Sequence, residues 1–158
     1  RKSDPKSGCM FYIFRVSWVI GVNGNNFAKK IIKLAKEREH IKVINDQKGV
    51  PTTTDFLTYV TIRLIDLCQK EKGDMPRLIH AVPDGVSTWF GFAKHIRDRL
   101  IQTDNSEKLA LIEPIPSSAY PQAAKRPSNS VMSNDLLKSC LGKSVGKWEN
   151  WHDSLYGR

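Results

Sequence analysis

The chain has 158 residues, of which 40% are apolar and 26% charged, with 25 lysines and arginines against 16 aspartates and glutamates for a formal net charge of +9. That length suits one ordinary domain whose core needs neither disulfides nor a structural metal. The composition indicates a soluble globular protein, because no apolar run approaches the roughly 18 residues of a membrane-spanning helix. Cys9, Cys68 and Cys140 are odd in number and widely spaced. Without a C-x-x-C pair they suit structural thiols in a reducing cytosol rather than zinc or redox chemistry. Residues 1–10 are polar and lack the apolar core of a secretory signal.

Residues 11–20 are apolar almost throughout, as expected of a parallel strand covered on both faces. Asn25 or Asn26 is placed to cap a helix running to about Glu39, with Phe27, Ile31, Leu34 and Ala35 as its buried stripe. Residues 41–44 read as a short strand ended by the polar turn 45–49. Pro51 and the threonines 52–54 open another helix, which carries Phe56, Leu57, Val60, Leu64, Ile65 and Cys68 and stops near Gly73. A third strand covers 78–82, and Ser87 or Thr88 caps a helix bearing Trp89, Phe92, Ala93, Ile96 and Leu100. A polar loop at 103–108 leads to a strand-like piece at 109–115 and an irregular segment with Pro114, Pro116, Pro121 and Pro127. Ser133 caps a short helix closed by Gly142, and a last helix begins near Lys147 with Trp148, Trp151 and Leu155. Strands and helices alternate, which favours an α/β architecture with parallel strands.

The basic residues are spread along the chain. The densest group, Lys29, Lys30, Lys33, Lys36 and Arg38, is mixed with Glu37 and Glu39 and reads as a solvated helix face. A diffuse positive balance also raises the local concentration of an anionic, pyrophosphate-bearing substrate. Charge alone does not choose between that and nucleic acid, although no nucleic-acid motif is present.

Gly21-x-x-Gly24 follows a strand and opens a helix, and Asp46 lies after the next strand. A dinucleotide fingerprint would need a third glycine for close helix–strand packing, and Phe27 stands there. A substrate-side phosphate turn and a purely structural turn both remain open. Trp18 ends the first strand, where α/β sheets bind ligands, but a core tryptophan reads equally well. Residues 46–52 combine a tight turn with side chains able to hydrogen-bond a ligand, and Arg126 in the basic loop 120–127 can grip a phosphate bidentately. Turn chemistry and a plain surface loop are the plainer readings. His40, His80, His95 and His152 have no metal-ligand spacing, so a metal site is not expected.

Taken in order, several stretches resemble the dTDP-4-dehydrorhamnose reductase family of extended short-chain dehydrogenases. They are Arg15-Val-Ser-Trp-Val-Ile-Gly, Gly24-Asn-Asn-Phe-Ala-Lys-Lys, Asp46-Gln-Lys-Gly-Val-Pro-Thr and Ile79-His-Ala. Ser87-Thr-Trp-Phe-Gly-Phe-Ala, Ile115-Pro-Ser-Ser-Ala-Tyr-Pro and Ala124-Lys-Arg-Pro-Ser-Asn-Ser complete the set. The resemblance implies the C-terminal part of a Rossmann-type fold, parallel strands alternating with helices plus a small substrate-binding region. That part covers 11–158, the cofactor-binding half being absent. It further implies reduction of the C4 ketone of a dTDP-6-deoxy-hexulose by NADPH or NADH, giving dTDP-L-rhamnose in the cytoplasm.

The family's Tyr-x-x-x-Lys and glycine-rich cofactor loop are not matched: Tyr12, Tyr59, Tyr120 and Tyr156 have no lysine four residues on. Val16 stands where a threonine is usual. The chain alone is therefore expected to be inactive. What the resemblance carries over is the substrate side, with Trp18 against the sugar and Asn25 and Asn26 where the nucleotide-sugar passes. Gln47, Thr52 and Arg126 are carried over as contacts to the dTDP moiety. Partners implied are the dTDP-sugar and either a second copy or the missing N-terminal half, with neither nucleic acid nor membrane. The alternative function is a non-catalytic nucleotide-sugar-binding or regulatory subunit. On either reading the run Phe11-Tyr-Ile-Phe would form an apolar sheet edge and an aggregation hazard.

Overall fold

The computed structural model describes residues 11–70, 75–104, 108–120, 124, 126–152 and 155. Strands and helices alternate as β1 (Ile13–Arg15), β2 (Val19–Ile20), α1 (Phe27–Glu37), β3 (His40–Ile44), β4 (Lys48–Gly49), β5 (Thr52–Thr53) and α2 (Thr54–Lys70). They continue as β6 (Leu78–His80), β7 (Ser87–Thr88), α3 (Trp89–Asp104), β8 (Leu111–Ile115) and α4 (Asp135–Leu141). Single 3-10 turns cover Ser117–Ala119 and Trp148–Trp151. The α/β architecture is the expected one. Its strands pair as β1–β6, β2–β5 and β3–β8, all parallel, while β4–β7 is antiparallel.

Residues 11–20 are not one strand covered on both faces. Trp18 adopts φ +36°, which no continuous strand accommodates, so the run breaks between β1 and β2 and each half takes a different partner. At the break Ser17 is buried and its hydroxyl accepts the Val50 N–H at 3.1 Å. Ile13 and Val19 remain about half exposed.

The helix starts follow their caps. The Asn26 side chain accepts the Lys29 N–H at 3.1 Å, Thr53 Oγ1 accepts from Phe56 and Thr88 Oγ1 from Gly91. Thr52 and Thr53 form β5 before α2 starts at Thr54; the expected stop at Gly73 lies outside the described residues. Ser133 accepts the Asp135 N–H, and Gly142 at φ +63° closes α4. The last helix is only a 3-10 turn.

Two apolar clusters hold the fold. The first joins α1, α3, β3 and β8 through Ile31, Val43, Phe92, Ile96 and Ile112. The second joins α2, β6 and α4 through Phe56, Val60, Leu64, Ile79 and Leu137. Each such side chain contributes about 1.5–3 kcal/mol on burial. No helix among the described residues is long and apolar enough to cross a membrane.

Candidate functional site

A cleft of about 780 Å³ runs along α1 and β3 beneath the segment that follows β8. Helical spacing builds one wall. Ala28, Ile31 and Ala35 anchor α1 in the core, so Phe27, Lys30, Leu34 and Arg38, three or four apart, line the cleft. β3 supplies His40, Lys42 and Ile44, and Tyr120 and Arg126 add to the lining.

The inner end is aromatic. Trp89, at the start of α3, stacks on Trp18 with ring centroids 3.7 Å apart and planes 12° from parallel. Phe27 lies against Trp89 at 4.6 Å. Trp89 Nε1 donates to Gln47 Oε1 at 3.2 Å, and Gln47 is itself buried. That bond leaves the Gln47 amide nitrogen as the group able to donate elsewhere. Trp18 also explains Gly49: a Cβ there would collide with the indole.

The electrostatics have one sign. Lys30, Arg38, Lys42 and Arg126 line the cleft, and the described lining residues include no carboxylate. His40, also on the lining, is bonded to Glu113, Nδ1 to Oε1 at 2.8 Å. Asp46, one residue before Gln47, is occupied by Ser117. Both the Ser117 N–H (2.9 Å) and hydroxyl (2.8 Å) donate to its Oδ2, and these bonds hold its carboxyl below the usual range. The pair ties the loop after β3, which carries Gln47, to the turn after β8.

The residues singled out in the sequence divide accordingly. Gln47 and Arg126 line the cleft. Trp18 touches it through Trp89 rather than lining it. Asn26 is spent on the backbone, capping α1 and donating to the Gly21 carbonyl at 2.7 Å, and Asn25 is exposed beside it. Thr52 is fully buried, its hydroxyl donating to the Val50 carbonyl at 3.0 Å. Sequence reading overlooked Trp89 and Phe27 as cleft residues because both also count as core. It overlooked Lys30, Arg38 and Lys42 because a lysine-rich helix usually faces water. The spacing 27, 30, 34, 38 was the available signal.

The Gly21–Gly24 turn does not fit a dinucleotide cofactor. A Cβ at Gly21 would lie 2.7 Å from Thr54 Oγ1, so that glycine permits packing against α2 rather than approach of a phosphate. Phe27 fills the third-glycine position with its ring on Trp89 and Phe92. Among the described residues no group of three or more His, Cys, Asp or Glu is arranged to hold a metal ion.

Residues 5–156 match the RmlD substrate binding domain family. The chain is similar to the dTDP-4-dehydrorhamnose reductase of Salmonella typhimurium, 36% identical over 137 residues, which are 87% of this chain and 46% of that protein. Among solved structures it is similar to the Bacillus anthracis reductase in complex with NADP, with TM-score 0.78 and 29% identity over 96% of this chain and 50% of that one. The Clostridium acetobutylicum reductase superposes with TM-score 0.75 and 33% identity, covering 92% and 48%. The chain spans about half the length of the curated relatives it matches. It belongs to the RmlD substrate binding domain family.

Proposed function

We propose that this chain is the substrate-holding part of a dTDP-4-dehydrorhamnose reductase and that its cleft takes the dTDP end of the keto-sugar. The observation that carries this reading is the cleft itself, four cations and no described carboxylate along the walls, with an aromatic end. A pyrophosphate is attracted by such a field, and a guanidinium such as Arg126 can bind it through two parallel hydrogen bonds. A planar pyrimidine is suited to Phe27 and Trp89, where stacking contributes about 0.5–1.5 kcal/mol beyond area burial. Gln47, oriented by Trp89, offers an amide donor to a base or sugar oxygen. Trp18 backs Trp89 and sets the end of the cleft from which the sugar extends.

In the complete enzyme a nicotinamide cofactor, NADPH or NADH, supplies the hydride for the C4 ketone. Among the described residues the Gly21–Gly24 turn packs on α2 and forms no dinucleotide site. The chain has no Tyr-x-x-x-Lys pair either, so its part is binding and orientation, and alone it should not turn over. We place it in the cytoplasm, in keeping with the free thiols of Cys68 and Cys140.

Calorimetric titration with dTDP tests the reading. Binding that weakens about 10- to 100-fold in Arg126→Ala is expected, as for loss of a charge-assisted hydrogen bond. Folded protein that takes up no dTDP would sink it, and NADPH-dependent reduction by the chain alone would overturn the assignment of a binding role only.

A further inference from the structure

Four consecutive residues after β3 each grip a different segment near the cleft. The Asn45 side chain accepts the Thr88 hydroxyl at 2.7 Å, one residue before Trp89. Asp46 Oδ2 accepts both the Ser117 N–H and the Ser117 hydroxyl. Gln47 accepts from Trp89 Nε1. The Lys48 backbone donates to the Ser128 carbonyl and accepts the Ser130 N–H, both at 2.8 Å.

Asp46 is the odd member of this run. It is exposed, it does not line the cleft, and it places a carboxylate next to Gln47, which does. Beside walls that carry cations, such a charge opposes the binding of an anion. What it holds gives it a use. Ser117–Ala119 is a single 3-10 turn to which Pro116 lends no side-chain cap. Its internal bonds run from Ala119 N–H to the Pro116 carbonyl and from Tyr120 N–H to the Ser117 carbonyl. So short a turn does not persist on its own bonds, because nucleation fixes several dihedrals for each bond gained. Asp46, 71 residues away, supplies the cap. Its bonds to Ser117 are charge-assisted, roughly twice as strong as neutral ones. The Ser117 N–H first and its hydroxyl second hold the carboxyl below the usual range, so the ionised form is the one that grips the turn. Tyr120 closes that turn, and its side chain, 46% exposed, lines the cleft.

We propose that Asp46 is a positioning residue for the nucleotide end of the ligand: by capping the 3-10 turn it fixes Tyr120 in the wall of the cleft. The role rests on the reading of the cleft as a dTDP site. Charge and positioning predict opposite signs. An Asp46 that were only a negative charge near an anion site would, on removal, leave tighter dTDP binding. A positioning Asp46 leaves weaker binding, and the loss passes through Tyr120.

Calorimetric titration with dTDP of the wild-type chain, Asp46→Ala, Asp46→Asn, Tyr120→Ala and the Asp46→Ala, Tyr120→Ala double variant tests this. Asp46→Ala should weaken binding about tenfold, as for loss of charge-assisted bonds. Asp46→Asn, which keeps an acceptor oxygen for the turn, should recover most of that loss. Tyr120→Ala should weaken binding by a similar factor. The double variant should bind no more weakly than Tyr120→Ala, since a residue that acts through another has nothing left to act on. Hydrogen exchange at the Ser117 and Tyr120 amides should quicken in Asp46→Ala without any ligand. Ser117→Ala removes the hydroxyl bond alone and should give a smaller loss; it carries the same comparison with Tyr120→Ala if Asp46→Ala does not fold. Unchanged or tighter binding in Asp46→Ala, losses that add in the double variant, or unchanged exchange overturns the proposal. Wild-type protein that takes up no dTDP removes the reading of the cleft and this role together, whereas wild-type affinity retained in Asp46→Ala removes this role alone.

Discussion

Two of the parallel strand pairs, β3–β8 and β1–β6, are of similar build and differ in what borders their outward faces. In β3–β8 the residues opposite the core mix polar and apolar, His40, Lys42 and Ile44 on one strand and Leu111, Glu113 and Ile115 on the other, and His40 is paired to Glu113. In β1–β6 the corresponding face carries Ile13 and Leu78, then Arg15 and His80. The inward faces hardly differ, since Ile41, Val43 and Ile112 in one and Ile79 in the other are all buried. A pair's inner face therefore reports only that it belongs to a core. Its outer face differs in setting: His40, Lys42 and Ile44 of β3 line the cleft, while Ile13 and Leu78 of β1–β6 stand about half exposed.

The sharpest way to break this contrast is a carboxylate introduced on each pair. Ile41→Asp in β3 should destabilise by about 4 kcal/mol or more, because an unpaired carboxylate would sit in the first cluster. Ile13→Asp in β1 should stay within about 0.5 kcal/mol in the isolated chain. Urea unfolding of the two variants checks both, and a large loss in Ile13→Asp would mean that the β1 face is already covered.

The next effect is pH. His152 is almost fully buried among Phe92, His95 and Trp148, and burial first, then the charges of His95 and Arg99, push it down to about 3 from 6.5. Burial moves His95 in the same direction. The unfolded chain takes up a proton below pH 6.5 that the folded His152 refuses until about pH 3. Stability is thus complete above 6.5 and falls through that window, by about 1.4 kcal/mol per pH unit for one such group. His152→Phe should flatten the slope of melting temperature against pH between 4 and 6; an unaltered slope would place the acid sensitivity elsewhere.

Smaller effects sharpen the cleft side. Lys42→Glu should weaken dTDP binding about tenfold, with a larger loss at low salt as expected of partly exposed charges, whereas Lys33→Glu, paired to Glu37 on the solvent side of α1, should change it little. Thr88→Ala removes both the cap on Gly91 and the 2.7 Å bond to Asn45. It should cost about 1 kcal/mol in stability and loosen Trp89, read as a change in tryptophan emission.

Much of the fold was legible in the sequence because periodicity and caps act locally. The spacing of α1, the threonines before α2, Thr88 before α3 and the Ser133–Gly142 bracket of α4 all translate into structure within a residue or two. The family motifs carry the relationship in residues close along the chain, independent of the fold. The break at Trp18 was not legible, since nothing local in an apolar run announces a positive φ; the tertiary register of β5 against β2 and the indole over Gly49 accompany it. Nor was the fate of Thr52 and Asn26, polar residues in a motif whose hydrogen bonds turn inward to the backbone.

The sequence by itself determined the α/β order, the helix starts and the family, because these rest on residue spacing and on caps that reach three or four residues along the chain. Tertiary structure alone decided which lysines share a cleft, that Trp89 rather than Trp18 lines it, and that Ile13 and Leu78 stand exposed opposite one another. Those properties depend on which surfaces of separate elements come together, and packing, not spacing, settles that.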